Sequence, residues 1–270
     1  MSLTINNDSA IGFALVALNR SSSLMNEAME RLSSGKRINK ASDDPAGIQK
    51  VMRLNAEIQG INAASRNAAD GQSLVDTLDA SLSEVQLILL RMRELTIQAI
   101  SDTNSASDRL ALDSELSQLE LEISRIGSTT SFGGKSVFDG NTHYLQIGPI
   151  SSNTLEVQAY NLSAATLGLN HDLTTRGNAE NYLGIIDTAI KDINEKRGAA
   201  GALSNTLDFI MSNLDNSKVN LIKSRSNVED TDFAAESMKL AKAKILEQVA
   251  IAMIAQANAR TQWILKLLEN

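Results

Sequence analysis

Hydrophobic positions recur in alternating steps of three and four along most of this chain, and one internal stretch breaks the rhythm. Near the start, Ile11, Ala14, Leu18, Ser21, Met25, Ala28 and Leu32 form such a series, the a/d seam of a coiled-coil helix. Alanine and serine soften it. The series runs out at Ser33-Ser34-Gly35, where glycine can take the left-handed conformation that ends a helix. Asp44-Pro45 then reads as a helix start, an acidic cap followed by proline at the first helical position. Val51, Leu54, Ile58 and Ile61 carry the pattern on, followed by Leu74, Leu78, Leu82, Val85, Leu89 and Met92. Gly60 and Gly71 weaken it, by about 1 kcal/mol each relative to alanine. The polar segment 101–107 closes this helix, and Leu112, Leu116, Leu119, Ile123 and Ile126 predict a shorter one ended by Gly127.

Residues 128–175 change period. Glycines at 133, 134, 140 and 148 and Pro149 punctuate short runs in which Leu155, Val157 and Ala159 alternate with Glu156, Gln158 and Tyr160. That alternation predicts a half-buried strand, with Tyr144–Ile147 as its partner across a turn at 148–153. The helical series then returns as Tyr182, Ile186, Ala189, Ile193, Ala200, Leu203, Leu207, Ile210, Leu214, Leu221 and Val228. Gly198 and Gly201 should loosen this helix without breaking it.

A last helix is predicted from Asp232 toward Leu268, with Leu246, Ala250, Met253, Ala257, Ile264 and Leu268 on one stripe. Val249, Ile251, Ala252, Ile254 and Ala255 fill the remaining directions. A helix apolar all round must be covered on every side. Leaving Leu246, Val249, Ile251, Met253 and Ile254 in water forgoes roughly 1.5–3 kcal/mol for each. One partner helix cannot cover a whole circumference. The cover is either a central place in a globular bundle or the surface of other subunits, and the location at the chain's end favours the second. The fold expected is mainly α, with long antiparallel coiled-coil helices from both chain halves and a small β-hairpin insertion. Because the middle folds back, the two ends should lie together.

Composition agrees and removes other classes. The chain has two prolines in 270 residues, no cysteine and 3% aromatic residues, so it is no disulfide scaffold, cysteine-ligated zinc site or thiol enzyme. A net charge of −7 argues against nucleic acid, which demands a concentrated basic face. The N-terminus lacks the basic start and apolar run of a secretory signal. The longest apolar run, Val249–Ala255, falls far short of the roughly 20 residues that span a bilayer, so no membrane span is expected. His143 and His171 are the only histidines, with no His-Glu-x-x-His or Gly-x-Ser-x-Gly pattern of metal or serine hydrolases. Asp43-Asp44 reads as capping rather than an acid pair. No enzymatic activity, metal or cofactor is expected.

Several strings carry a resemblance. Glu30–Asn39 reads ERLSSGKRIN and is followed by Ala41-Ser42-Asp43-Asp44-Pro45-Ala46-Gly47. Ser65–Gln72 reads SRNAADGQ, Met92–Ala99 reads MRELTIQA, and Ser224–Asn258 reads SRSNVEDTDFAAESMKLAKAKILEQVAIAMIAQAN. In kind and order these blocks resemble bacterial flagellin over nearly the whole chain. The resemblance implies a structural subunit that polymerises into the helical filament used for swimming. It implies an inner-tube domain from residues 1–42 and 229–270 and an outer-tube domain at 43–228 with hairpins at about 128–175. The variable outer domains of longer flagellins would be absent.

Filament-core packing would then fall to Ile11, Leu18, Met25, Leu32, Leu246, Val249, Met253, Ile264 and Leu268. The resemblance further implies export without a cleaved signal peptide, through the flagellum-specific apparatus, to an extracellular place in the flagellum. Its partners would be further copies of the chain, a flagellin export chaperone, the filament cap protein and hook-associated junction proteins. An epitope for the vertebrate innate receptor for flagellin would use Arg91, Leu95 and Glu115, the alternative role of these residues being packing between neighbouring protofilaments. Near the end, Ala259-Arg260-Thr261-Gln262-Trp263 departs from the Gln-Leu-Pro-Gln-like residues frequent in the family. A hook–filament junction protein shares the terminal-helix design and is the alternative; the SRNAADGQ and AQAN blocks look more like filament flagellin.

Overall fold

The computed structural model describes residues 8–268. Among these, five α-helices are joined by two small two-stranded antiparallel sheets. In chain order they are α1 (Asp8–Ser34), α2 (Pro45–Ile100), α3 (Ala106–Thr129), β1 (Ser131–Phe132), β2 (Lys135–Ser136), β3 (Thr142–Gln146), β4 (Thr154–Gln158), α4 (Arg176–Glu229) and α5 (Phe233–Leu268).

Local chemistry sets most of the helix ends. Gly35 sits at φ +71° and donates its N–H to the Arg31 carbonyl at 2.9 Å, closing α1 in the left-handed conformation glycine tolerates. Asp44 accepts the Gly47 N–H at 2.9 Å and so caps α2 ahead of Pro45. Ser105 and Asp108 form a reciprocal capping box at the head of α3, which satisfies two otherwise orphaned donors. Asp232 accepts from the backbone of Ala234 and Ala235 at the head of α5.

The chain divides into two compact units, one from residues up to 56 and from 220 onward, the other from 57 to 219. The larger unit has a single hydrophobic core. Leu82, Val85, Leu89 and Met92 of α2, Leu116 and Ile123 of α3, and Ile186, Ile193 and Leu207 of α4 are fully buried there. The three-and-four spacing that predicts each helix also places these residues on one face. Antiparallel α2 and α4 are tied by charge as well: Arg197 holds Asp79 at 2.8 Å and Gln86 at 2.7 Å, and Arg93 holds Asp187 at 2.7 Å. Strands β3 and β4 pair Tyr144 with Glu156 and Leu145 with Leu155, and Val157 turns into the core.

Three glycines behave differently from their reading as weak points or stops. A Cβ on Gly60 would stand 2.8 Å from Pro149, and one on Gly71 would overlap the Leu145 side chain. These residues are notches in α2 against which the β3–β4 hairpin lies. Gly127 does not end α3, which continues to Thr129. It is buried, and a Cβ there would run into the Leu162 carbonyl, so its role is close approach of the following segment. α4 passes through Gly198 and Gly201 as one helix.

Candidate assembly surface

In the smaller unit α1 and α5 pack against each other. They run antiparallel, since the Thr231 N–H donates to the Gly35 carbonyl at 3.0 Å and Arg31 lies 3.7 Å from Glu236. Among the described residues, the buried ones of α1 are Ala14, Ser21 and Ala28, and those of α5 are Glu236, Ala243 and Ala250. Each set repeats every seventh residue, so one narrow stripe of each helix meets the other, and apart from Glu236 that stripe is made of small side chains. Ile11, Leu18, Met25 and Leu32 flank it half-buried on α1, as Leu240 and Ile254 do on α5. The periodicity read from α1 is therefore its seam with α5. On α5 the seam runs one step away from the stripe expected: Ala250 and Ala257 lie on it, whereas Leu246 and Met253 lie outside.

The connector 35–44 at the base of this pair is held by polar contacts. Lys36 pairs with the mostly buried Glu229 at 2.6 Å, and the Arg37 guanidinium donates to the Val228 carbonyl at 2.8 Å. Asp43 accepts the N–H groups of Asn39 at 3.0 Å and Lys40 at 2.9 Å. The Lys40 N–H and then that of Asn39 hold its carboxyl below the usual aspartate range. Above the connector, Glu236 is 3% exposed and receives Lys239 at 2.9 Å besides Arg31. Burying a carboxylate to this extent without such partners would be costly.

The rest of the pair is uncovered. Met253 is 62% exposed and Ile251 54%, with Ile245, Leu246 and Val249 also exposed on the same helix. On α1, Phe13 is 78% exposed and Val16 66%. Soluble monomers rarely leave a large contiguous apolar patch open unless a partner covers it. The described part of the apolar stretch of α5 is thus not the centre of a bundle within this chain. Phe13 and Val16 escape a reading based on seam positions because they lie off the seam, and only their size could have flagged them. Ile264 and Leu268 belong to the same series, but their side chains lie outside the described residues.

The larger unit carries the other candidate residues. Arg91 on α2 binds Glu115 of α3 at 2.8 Å and Glu94 at 3.1 Å. The hydrogen bond to Glu115, then that to Glu94, raises the guanidinium pKa above its ordinary value. Arg91 and Glu115 are exposed together, whereas Leu95 is 1% exposed and belongs to the core.

His171 lies 2.9 Å from Glu120 through Nδ1 and 2.9 Å from the Ser117 hydroxyl through Nε2. Tyr182 donates to the same Glu120 at 2.7 Å, and burial followed by that carboxylate pushes its phenol pKa well up. A serine, histidine and carboxylate in line have the order of a hydrolytic triad. Here the serine sits mid-helix, where backbone N–H groups are committed to the helix rather than to an oxyanion. The cluster instead fastens the segment bearing Leu169 and Leu173, whose side chains are buried and whose Leu173 N–H reaches Asp113 at 3.0 Å. Among the described residues, no group of three or more metal-ligating side chains is gathered, and no helix is long and apolar enough to cross a membrane.

Comparison with known proteins follows the same division into two ends. A model of the bacterial flagellin N-terminal helical region matches residues 5–143, and one of the bacterial flagellin C-terminal helical region matches residues 183–268. A flagellin of Halalkalibacterium halodurans is 41% identical over 247 residues, covering 90% of this chain and 91% of its own. Flagellin FlaB1 of Treponema pallidum is 31% identical, covering 98% and 100%. Against flagellin E of Vibrio cholerae, 28% identical and covered whole on both sides, the alignment runs to 378 positions, far beyond the 270 residues of this short chain. Among solved structures, the crystal structure of Bacillus cereus flagellin gives a TM-score of 0.51 at 36% identity, covering 55% of this chain and 88% of that one. A putative flagellar hook-associated protein from Vibrio parahaemolyticus gives 0.60 at 15% identity, covering 70% and 100%, a likeness of fold alone.

Proposed function

The chain belongs to the bacterial flagellin family and is a structural subunit of the flagellar filament, and from that premise we propose that the α1–α5 pair is the part whose apolar surface neighbouring copies cover. In this reading residues 1–42 and 229–270 form the inner tube and 43–228 the outer tube. Ile11, Leu18, Met25 and Leu32 set the pair's own seam. Leu246, Val249 and Met253 face other subunits, and Ile264 and Leu268, whose side chains lie outside the described residues, continue the same sequence series. The observation that carries the reading is the exposure of large aliphatic side chains along α5 from Ile245 to Met253, opposite a seam of alanines too narrow to bury them. Identical contacts repeated without ring closure generate a helical filament.

The remaining roles follow from the same premise. The subunit acts outside the cell, in the flagellum. Before export, a chaperone would shield the same α5 surface, and at the filament's ends the cap and hook-associated proteins would meet it. An innate receptor would read Arg91 and Glu115 on the surface of the larger unit, with Leu95 holding the α2 backbone beneath them. It would lose signal on Arg91→Ala in a reporter assay, and unchanged signalling would remove the receptor role. The function is non-enzymatic.

Met253→Asp tests the main reading. It should abolish elongation on filament seeds while leaving thermal unfolding of the larger unit in place. Filaments of normal yield and length from that variant would overturn it.

A further inference from the structure

We propose that oxidation of methionine on the α1–α5 pair blocks incorporation of the subunit into the filament, with Met253 as the principal site and Met29 and Met238 beside it. The inference rests on the reading that neighbouring copies cover this pair.

The chain has eight methionines, and they are unevenly placed. Met92 is fully buried in the core of the larger unit, and Met25 and Met211 are half-buried. Met29, Met52, Met238 and Met253 are exposed, the last two at 68% and 62%. Among the described residues these four exposed methionines all fall in the smaller unit, and three of them lie on α1 or α5. In the free subunit no packed neighbour shields their sulfur from a small oxidant.

Hydrogen peroxide supplies the chemistry. The thioether sulfur attacks one peroxide oxygen, an S–O bond forms and the O–O bond breaks. The sulfur gives up two electrons, and the departing hydroxide takes the remaining proton as water. The product is a sulfoxide, a polar and chiral group in place of a flexible apolar one. Met253 stands among Val249, Ala250, Ile251, Ala252, Ile254 and Ala255, whose side chains offer no hydrogen-bond donor, and Gln256 three residues on carries the nearest amide of its own helix. A sulfoxide covered by a neighbouring subunit there would exchange its water for at most that one exposed amide, which disfavours burial. Before incorporation the site is open, and after incorporation it is shielded, so oxidation acts on the growing pool rather than on the finished filament. Sulfoxide reductases of the two stereochemical classes reverse it.

The experiment uses the full chain, hydrogen peroxide and sheared filament seeds, with peptide mass spectrometry and sedimentation as readouts. Met253 should convert while Met92 does not, and the elongation rate should fall at least tenfold. Treatment with both reductases should restore it. The triple variant Met29→Leu, Met238→Leu, Met253→Leu should elongate equally with and without peroxide. Elongation of the oxidised chain at the untreated rate would overturn the proposal, as would equal inhibition of the triple variant. If that variant does not elongate at all, the reductase step on the wild-type chain decides, and failure to recover overturns the proposal. Oxidation of assembled filaments separates the two levels. Met253 converting as fast in filaments as in free chains would refute burial by neighbours. A protected Met253 with unimpaired elongation of oxidised chains would refute the oxidative block alone.

Discussion

The α1–α5 pair and the α2–α3–α4 core draw on the same repertoire of Leu, Ile, Val and Ala at seven-residue periodicity, yet they bury different members of it. In the core the large residues are inside: Leu82, Leu89, Met92, Leu116, Ile186 and Leu207 are each fully covered. In the pair the small residues are inside, and Ile245, Val249, Ile251 and Met253 remain in water. Three helices enclose a volume that large side chains fill. Two helices share only a stripe, and Ala243 and Ala250 opposite Ala14 and Ala28 bring them close while burying little. Each large aliphatic covered contributes roughly 1.5–3 kcal/mol, against about 0.8 for one CH₂. The core therefore holds itself together, and in the proposed reading the pair acquires comparable burial from other copies of the chain. A filament subunit benefits from the difference, because a terminal region complete in itself would have nothing left to offer a neighbour.

The sharpest way to break this comparison is to put the same kind of change into each region. Val249→Asp would force a carboxylate into the covered surface, costing several kcal/mol per subunit. Polymerisation measured by sedimentation should be lost, with urea unfolding of the larger unit unchanged. Leu82→Ala should do the reverse, lowering the stability of the larger unit by about 2–5 kcal/mol with no direct effect on the exposed face of α5. Ala243→Leu should overpack the seam by about 1–3 kcal/mol and speed amide exchange across α1 and the first half of α5; unchanged exchange would mean that the small seam residues are not required for close approach.

The smallest expected effect concerns pH. The Asp43 carboxyl, held below its ordinary value near 3.8 by the N–H groups of Lys40 and Asn39, stabilises the connector 35–44 at any pH above that value. The contribution disappears as pH falls through the depressed folded value, so loosening should begin only below about pH 4. Amide protection at Asn39 and Lys40, taken relative to the intrinsic exchange rate at each pH, should show it, and Asp43→Asn should make that protection insensitive to pH in the same range.

Periodicity made most of the fold legible. The α1 seam, the Asp44-Pro45 start of α2, the β3–β4 hairpin and the unbroken α4 all follow from spacing and capping chemistry, which are local. What escaped depends on neighbours distant in the chain. Gly60, Gly71 and Gly127 look like helix breakers in isolation, and only Pro149, Leu145 and Leu162 show them to be points of close approach. Composition marks α5 as apolar nearly all round, and for that reason does not say which stripe α1 covers. Glu236 was legible in hindsight as the charged member of a series otherwise made of alanine. Leu95 read as a surface partner of Arg91 and lies in the core, four residues along α2, where helical geometry sends it to the inner face.

The central claim is that neighbouring copies cover the apolar face of α5. A helical reconstruction of the filament at side-chain resolution tests it most directly. It should place apolar atoms of other subunits within about 4.5 Å of Val249, Ile251 and Met253, with α1 and α5 still joined along their alanine seam. Those three side chains facing water in the assembled filament would contradict it.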